Sequence, residues 1–214
     1  MTSRVIEVDP VRLERWLAGF SERHGGYDAV EEETPGGVVL RAMAADGASI
    51  VATPFTYDPL GVVLVRRGGY AVGVVRGGLL ASHKVGARHV QSRTAAGGWS
   101  QQRFARRREK QAQELVAAVV GHARRVLLGD DESPRVGADG IPLGLVVGGD
   151  RTLVAEVLAA HALRALAGLP RRELPDLPDP GRQVLEEAVR RGRAVRVQLT
   201  EPGPSEPHDA SPRA

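Results

Sequence analysis

The chain has 214 residues, enough for one sizeable core or two small ones. Hydrophobic residues make up 42% of it but aromatics only 4%, so that core must be built from Val, Leu and Ala. Cysteine is absent, which excludes a disulfide framework, a thiol nucleophile and thiolate metal sites. No basic segment followed by an apolar run opens the chain, and no stretch approaches membrane-span length; a soluble, cytoplasmic protein with no membrane partner is expected.

The net charge is only +3, but it is unevenly spread. Residues 1–58 hold ten carboxylates against five arginines, whereas residues 59–108 hold ten basic residues and no Asp or Glu. One acidic face and one basic tongue follow from that asymmetry. Lys84 and Lys110 are the only lysines, so the positive charge is nearly all guanidinium, which suits bidentate phosphate contacts and base stacking.

In chain order, Asp9-Pro10 reads as a helix cap and first turn, followed by Val11, Leu13, Trp16, Leu17 and Phe20 at helical spacing, with Gly25 as the stop. Residues 38–43 and 48–53 read as strands around an Asp46-Gly47 turn, and the Glu31-Glu32-Glu33 run before them as a solvated loop. A second strand pair, residues 62–66 and 70–75, surrounds Gly68-Gly69 and is rich in Val. Gly77-Gly78 then introduces a strand that carries Lys84, Arg88 and Arg93 outward. Residues 101–128 contain one glycine and no proline, with Leu115, Val116, Val119, Ala123 and Val126 along one face, and should form the longest helix.

Residues 130–142 are a polar, turn-rich connection. A buried strand at 143–147 leads to Gly148-Gly149-Asp150 as turn and cap, then to a helix at 152–166. A helix at 184–191 and a strand at 194–199 complete the pattern. The expected fold class is α/β, a mixed β-sheet flanked by helices, in a single domain over residues 1–200. The proline-rich residues 201–214 should be a disordered tail.

The segment TAAGGWSQQRFARRR, residues 94–108, concentrates the chemistry. Gly97 and Gly98 permit backbone angles closed to other residues and close approach to another molecule. Trp99 offers an indole for stacking. Gln101 and Gln102 bring amides, which do not titrate near neutrality and can act only by positioning and charge stabilisation. Arg103, Arg106, Arg107 and Lys110 recur at three- and four-residue spacing, with Arg108 beside them, giving a basic stripe suited to phosphates. Such a tip should be drawn to RNA or DNA, with the main base of any catalysis elsewhere, although a glycine pair before a basic helix is equally the pattern of a solvated face.

Other motifs carry less. His83 and His89 have no carboxylate near them in sequence, so no metal site is expected. Gly148-Gly149-Asp150 lacks the Gly-Lys-Ser/Thr ending of a phosphate loop, so no nucleotide cofactor is expected. Ser82 and Ser133 have no evident His and Asp partners for a serine hydrolase.

The run RTAAGGWSQQRFARRREKQ, residues 93–111, resembles the signature loop of the VLRF family of release-factor-like peptidyl-tRNA hydrolases. KVGARHVQSR before it and the hairpin GVVLVRRGGYAVGVV look like that family's actinobacterial branch. The family is similar to the middle domain of archaeal and eukaryotic class I release factors, whose tip is Gly-Gly-Gln. The resemblance therefore implies a release-factor middle-domain-like fold with a mobile Gly-Gly-Trp-Ser-Gln loop leading into a long basic helix.

It also implies ribosome-dependent hydrolysis of peptidyl-tRNA in the peptidyl-transferase centre of the large ribosomal subunit; the alternatives are nuclease action at the tRNA acceptor end and a non-catalytic RNA- or ribosome-binding module. Gln101 matches the family glutamine and Gly97 and Gly98 its glycine pair, although Trp99-Ser100 separates glycine from glutamine here. Arg93, Lys84, Arg88, Trp99, Gln102, Arg103, Arg106, Arg107 and Arg108 would contact rRNA or tRNA. No cofactor is implied. The chain length leaves no room for codon-reading and GTPase-binding domains, so the expectation is rescue of stalled complexes independent of a stop codon.

Overall fold

A computed structural model describes residues 1–87, 100–129 and 140–202, with backbone alone for 100–105. The expected tail falls outside these residues from position 203 on. The described chain divides into two compact units, one formed by residues 1–56 together with the chain from 193 on, the other by residues 57–192. The sequence pattern suggested one mixed sheet in one domain; instead each unit has its own five-stranded sheet. The last strand returns to pair with the first unit, a long-range pairing that no local pattern encodes.

In the first unit, β1 (Thr2–Val8), β2 (Tyr27–Thr34), β3 (Gly37–Ala44), β4 (Ser49–Thr53) and β10 (Val195–Glu201) form an antiparallel sheet in the order β1-β10-β4-β3-β2. Its helix α1 (Leu13–His24) is preceded by a 3-10 turn, where the Asp9 carboxylate accepts from Val11 N at 3.0 Å. Gly25, at φ 77°, ends α1 in the left-handed conformation, as its position suggested. Phe20 is fully buried and fills the space that the small side chains Ala42, Ala44, Ala48 and Ala52 leave over β3 and β4. Its ring stacks on Trp16 at 6.0 Å and meets His24 and Tyr27 at 4.6 and 5.8 Å.

The acidic run Glu31-Glu32-Glu33 is part of strand β2, not a loop. It lies on the sheet's edge with both faces exposed, so it lacks the apolar alternation that marks a half-buried strand, and its charge guards an open edge.

In the second unit, β5 (Leu60–Arg66), β6 (Gly69–Arg76), β7 (Leu79–Ala87), β8 (Gly144–Gly149) and β9 (Arg171–Leu174) are ordered β7-β6-β5-β8-β9. β5, β6 and β7 are antiparallel neighbours, while β5, β8 and β9 run parallel. Gly77 and Gly78, both at positive φ (54° and 83°), supply the tight turn between β6 and β7. Odd residues of β5 and β8 and even residues of β6 face α2 (Ser100–Ala123) and α3 (Arg151–Ala159). The opposite face receives α4 (Arg182–Arg193).

Close packing against α4 depends on Gly192, where a Cβ would lie 2.4 Å from Val146 Cγ2. The buried Arg172 of β9 donates to the Gly192 carbonyl at 3.1 Å, satisfying an orphan acceptor in the last turn of α4. Asp150 caps α3 as expected, accepting from Thr152 N and Leu153 N at 3.0 and 3.2 Å. The expected helix 152–166 is shorter: Ala160 is extended (φ −62°, ψ 133°), and a 3-10 segment, His161–Leu166, follows. Among the described residues no helix is long and apolar enough to cross a membrane.

Candidate nucleic-acid interface

The cationic residues of the site stand on two elements of the second unit, β7 and α2. β7 is an edge strand, paired with β6 in a register that sets Ser82, Lys84 and Gly86 opposite Val74, Val72 and Tyr70. Opposed residues share a face, so Lys84 lies on the side where α2 packs, and it is exposed there. His83 points to the other side, where Arg182 of α4 donates to its Nε2 at 2.7 Å. That bond gives His83 a structural partner, while His89 lies outside the described residues. Among the described residues no group of three or more His, Asp or Glu side chains could hold a metal ion.

α2 is held by its C-terminal half. Leu115, Val119 and Ala123 are fully buried against the sheet, and the His122 imidazole stacks on Tyr70 at 5.3 Å and 16°. Tyr70 reaches α2 across the bare backbone of Gly86, where a Cβ would fall 2.5 Å from the phenol ring. The sequence reading did not single out this contact; its signal was the register that places Tyr70 opposite a glycine just before the tip segment. The helix then passes into a π-helical turn, Arg124–Leu128, that buries Val126 and Leu127.

The other half of α2 is cationic. Arg106 and Arg107 are exposed and Arg108 is half-buried. None of them, nor Lys84, forms an ion pair among the described residues. The arginines of α4 differ: Arg182 pairs with Glu186 at 2.6 Å, Arg190 with Glu187 at 2.6 Å, and Arg191 with Asp176 at 2.8 Å. Hydrogen bonding from Arg190 holds the Glu187 carboxyl below its ordinary pKa, the mark of a satisfied pair. The α2 arginines are thus left for an anion that the described residues do not supply.

Gln101, Gln102 and Arg103 belong to the first turn of α2, which contains no acidic residue. A cation in that turn opposes the helix macrodipole, so Arg103 finds no local electrostatic reward there. Arg88, Arg93, Gly97, Gly98 and Trp99 lie outside the described residues.

Sheet, helices and charge define the second unit as an α/β domain with an edge strand, β7, and a helix, α2, whose Arg106, Arg107 and Arg108 have no ion-pair partner among the described residues. The chain belongs to the Actinobacteria/chloroflexi VLRF1 release factor family, whose model matches residues 58–198 and so covers nearly all of this unit together with most of β10. No curated protein matches the chain.

Proposed function

We infer that the chain is a ribosome-dependent peptidyl-tRNA hydrolase that frees nascent peptide from stalled large-subunit complexes without reading a stop codon. Membership of a release factor family makes release of a translated product the activity class, and the ribosome the general partner. The observation that carries the reading is the set of arginines Arg106, Arg107 and Arg108, without an ion-pair partner among the described residues and within two turns of Gln101 on the same helix. A cationic handle directly behind an amide suits a tip that enters an RNA-lined active site.

In this mechanism the Gln101 amide orients a water against the carbonyl carbon of the ester between peptide and tRNA. The bond from that carbon to the ribose oxygen breaks, and the departing oxygen takes a proton. An amide does not accept protons near neutrality, so Gln101 contributes position and hydrogen bonding while RNA groups around the ester handle the proton. Gly97 and Gly98 allow the close approach, and Trp99 and Gln102 flank it. Arg88, Arg93, Arg103 and Lys84 join the three α2 arginines in holding phosphates, fixing register without reading sequence.

The test uses purified large subunits carrying labelled peptidyl-tRNA. Wild type releases peptide and leaves the tRNA at full length, whereas Gln101→Ala binds the subunit and fails to release. Equal release by the variant, or a shortened tRNA, contradicts the reading.

A further inference from the structure

The first 56 residues carry a second cationic surface, and all of them precede the family match. Of the five arginines there, Arg4 pairs with Glu201 at 3.7 Å and Arg41 with Glu32 at 3.9 Å. The remaining three, Arg12, Arg15 and Arg23, form no ion pair among the described residues, and all three line one shallow groove along α1 with Trp16, Gly19 and Glu22. Their spacing, 12, 15, 16, 19, 22 and 23, follows one helical face. In a segment with nine carboxylates and five arginines, the three cations without an ion pair among the described residues have collected on one stripe. The opposite charge stands on β2.

The floor of the groove is Gly19. Glycine inside a helix costs about 1 kcal/mol relative to alanine. Nothing in the unit demands that glycine: its φ is helical, and an added Cβ would meet no atom within 4 Å. What the missing side chain provides is outward, a stretch of helix backbone open between arginines, where Arg23 Nε donates to the Gly19 carbonyl at 2.9 Å. Beside it the half-buried Trp16 is stacked on Phe20 and so fixed in orientation. Guanidinium forks flanking a fixed indole suit a strand of alternating phosphates and flat bases. An acidic peptide would answer the arginines but leave the indole without a stacking partner.

We propose that the α1 groove is a second RNA-binding site, which takes a single-stranded RNA segment with its phosphates on Arg12, Arg15 and Arg23 and a base against Trp16. The proposal rests on the reading that the protein works on ribosomal complexes, and it assigns the first unit the task of tethering the chain to RNA while the second unit acts.

The test measures binding of a fluorescein-labelled single-stranded RNA of about a dozen nucleotides to the full chain, across a salt series. Arg12→Gln/Arg15→Gln/Arg23→Gln should weaken binding about tenfold and reduce the slope of log affinity against log salt by about 2, three phosphate contacts at about 0.7 each. Gly19→Leu, whose Cβ would meet no atom within 4 Å and which keeps every charge, should also weaken binding while leaving thermal stability equal or higher. In the release assay the triple variant should raise KM with kcat unchanged, whereas Gln101→Ala should lower kcat with KM unchanged. Unaltered RNA affinity and salt slope in the triple variant overturn the groove proposal. Tighter binding of poly-glutamate than of RNA, lost in the same variant, overturns it in favour of an acidic protein partner. If the groove variants are inert while Gln101→Ala still abolishes release, the groove proposal fails and the release reading stands; if Gln101→Ala is inert while the groove variants lose RNA, the reverse holds.

Discussion

Tyr70 and His122 stack at 5.3 Å across β6 and α2, and the phenol ring occupies the volume that a side chain at position 86 would fill. The contact ties the end of β7 to α2, the two elements that flank residues 88–99 in sequence. Gly86→Ala should therefore overpack the joint and destabilise the second unit by about 1–3 kcal/mol. Thermal unfolding checks the stability loss. Tyr70→Leu, which removes the ring from the clash, should restore much of the stability when combined with Gly86→Ala, and a double-mutant cycle that adds simply would show the two positions to be uncoupled.

Gln101→Ala should lower peptide release by about 10²-fold, the order expected when one positioned polar group is lost from a preorganised site. Gln102→Ala should have a smaller effect. Single-turnover release on purified large subunits distinguishes the two, and the larger loss at position 102 would transfer the positioning role to that amide.

Arg106→Gln/Arg107→Gln should weaken ribosome binding and flatten its salt dependence, with fold and stability unchanged, because neither side chain has an ion-pair partner among the described residues to lose. Arg190→Gln on α4 is the contrast. It breaks the pair with Glu187 and should leave ribosome affinity unaltered. Sedimentation with large subunits at two salt concentrations measures both.

Phe20→Ala should cost about 3–5 kcal/mol, because a fully buried ring is removed from between three other rings and a floor of alanines too small to collapse into the gap. Denaturant unfolding gives the value. A loss under 1 kcal/mol would mean that the first unit repacks around the void.

Asp46 sets an acid limit on the same unit. Its carboxylate meets His24 Nδ1 at 2.8 Å and accepts from Ala48 N at 3.0 Å, and these bonds, the histidine first, hold its pKa below the ordinary Asp value. A folded-state pKa below the unfolded one stabilises at pH above the unfolded value of about 3.9 and loses that contribution as pH falls through the lowered value. The stability gap between wild type and Asp46→Asn should thus be open near pH 5 and closed by about pH 2. A gap that persists in full acid would place its origin outside this titration.

What could be read from the residues alone divides by how local the signal is. Asp9, Gly25 and Asp150 mark helix ends through their own side chains or backbone angles, and each does so in the structure. The hairpins at Asp46-Gly47 and Gly77-Gly78 carry their turn chemistry with them. β1 and β2 gave no such signal, because edge strands exposed on most positions lose apolar alternation. β9 is four residues long, and only its pairing with β8 defines it. At the site, charge was legible and pairing was not: arginines crowd both α2 and α4, but only coordinates separate those spent on carboxylates from those without an ion-pair partner among the described residues.

The position of β10 has a consequence for biosynthesis. It lies between β1 and β4, so the first unit lacks an interior strand until residues 195–201 have been made. Residues 57–192 are contiguous and can close their own sheet first. On the ribosome the usual order, amino-terminal part first, is therefore inverted. The half-sheet of β2, β3 and β4 and the unpaired β1 must wait with open edges while some 140 residues emerge, and the acidic run on β2 is well placed to discourage aggregation during that wait.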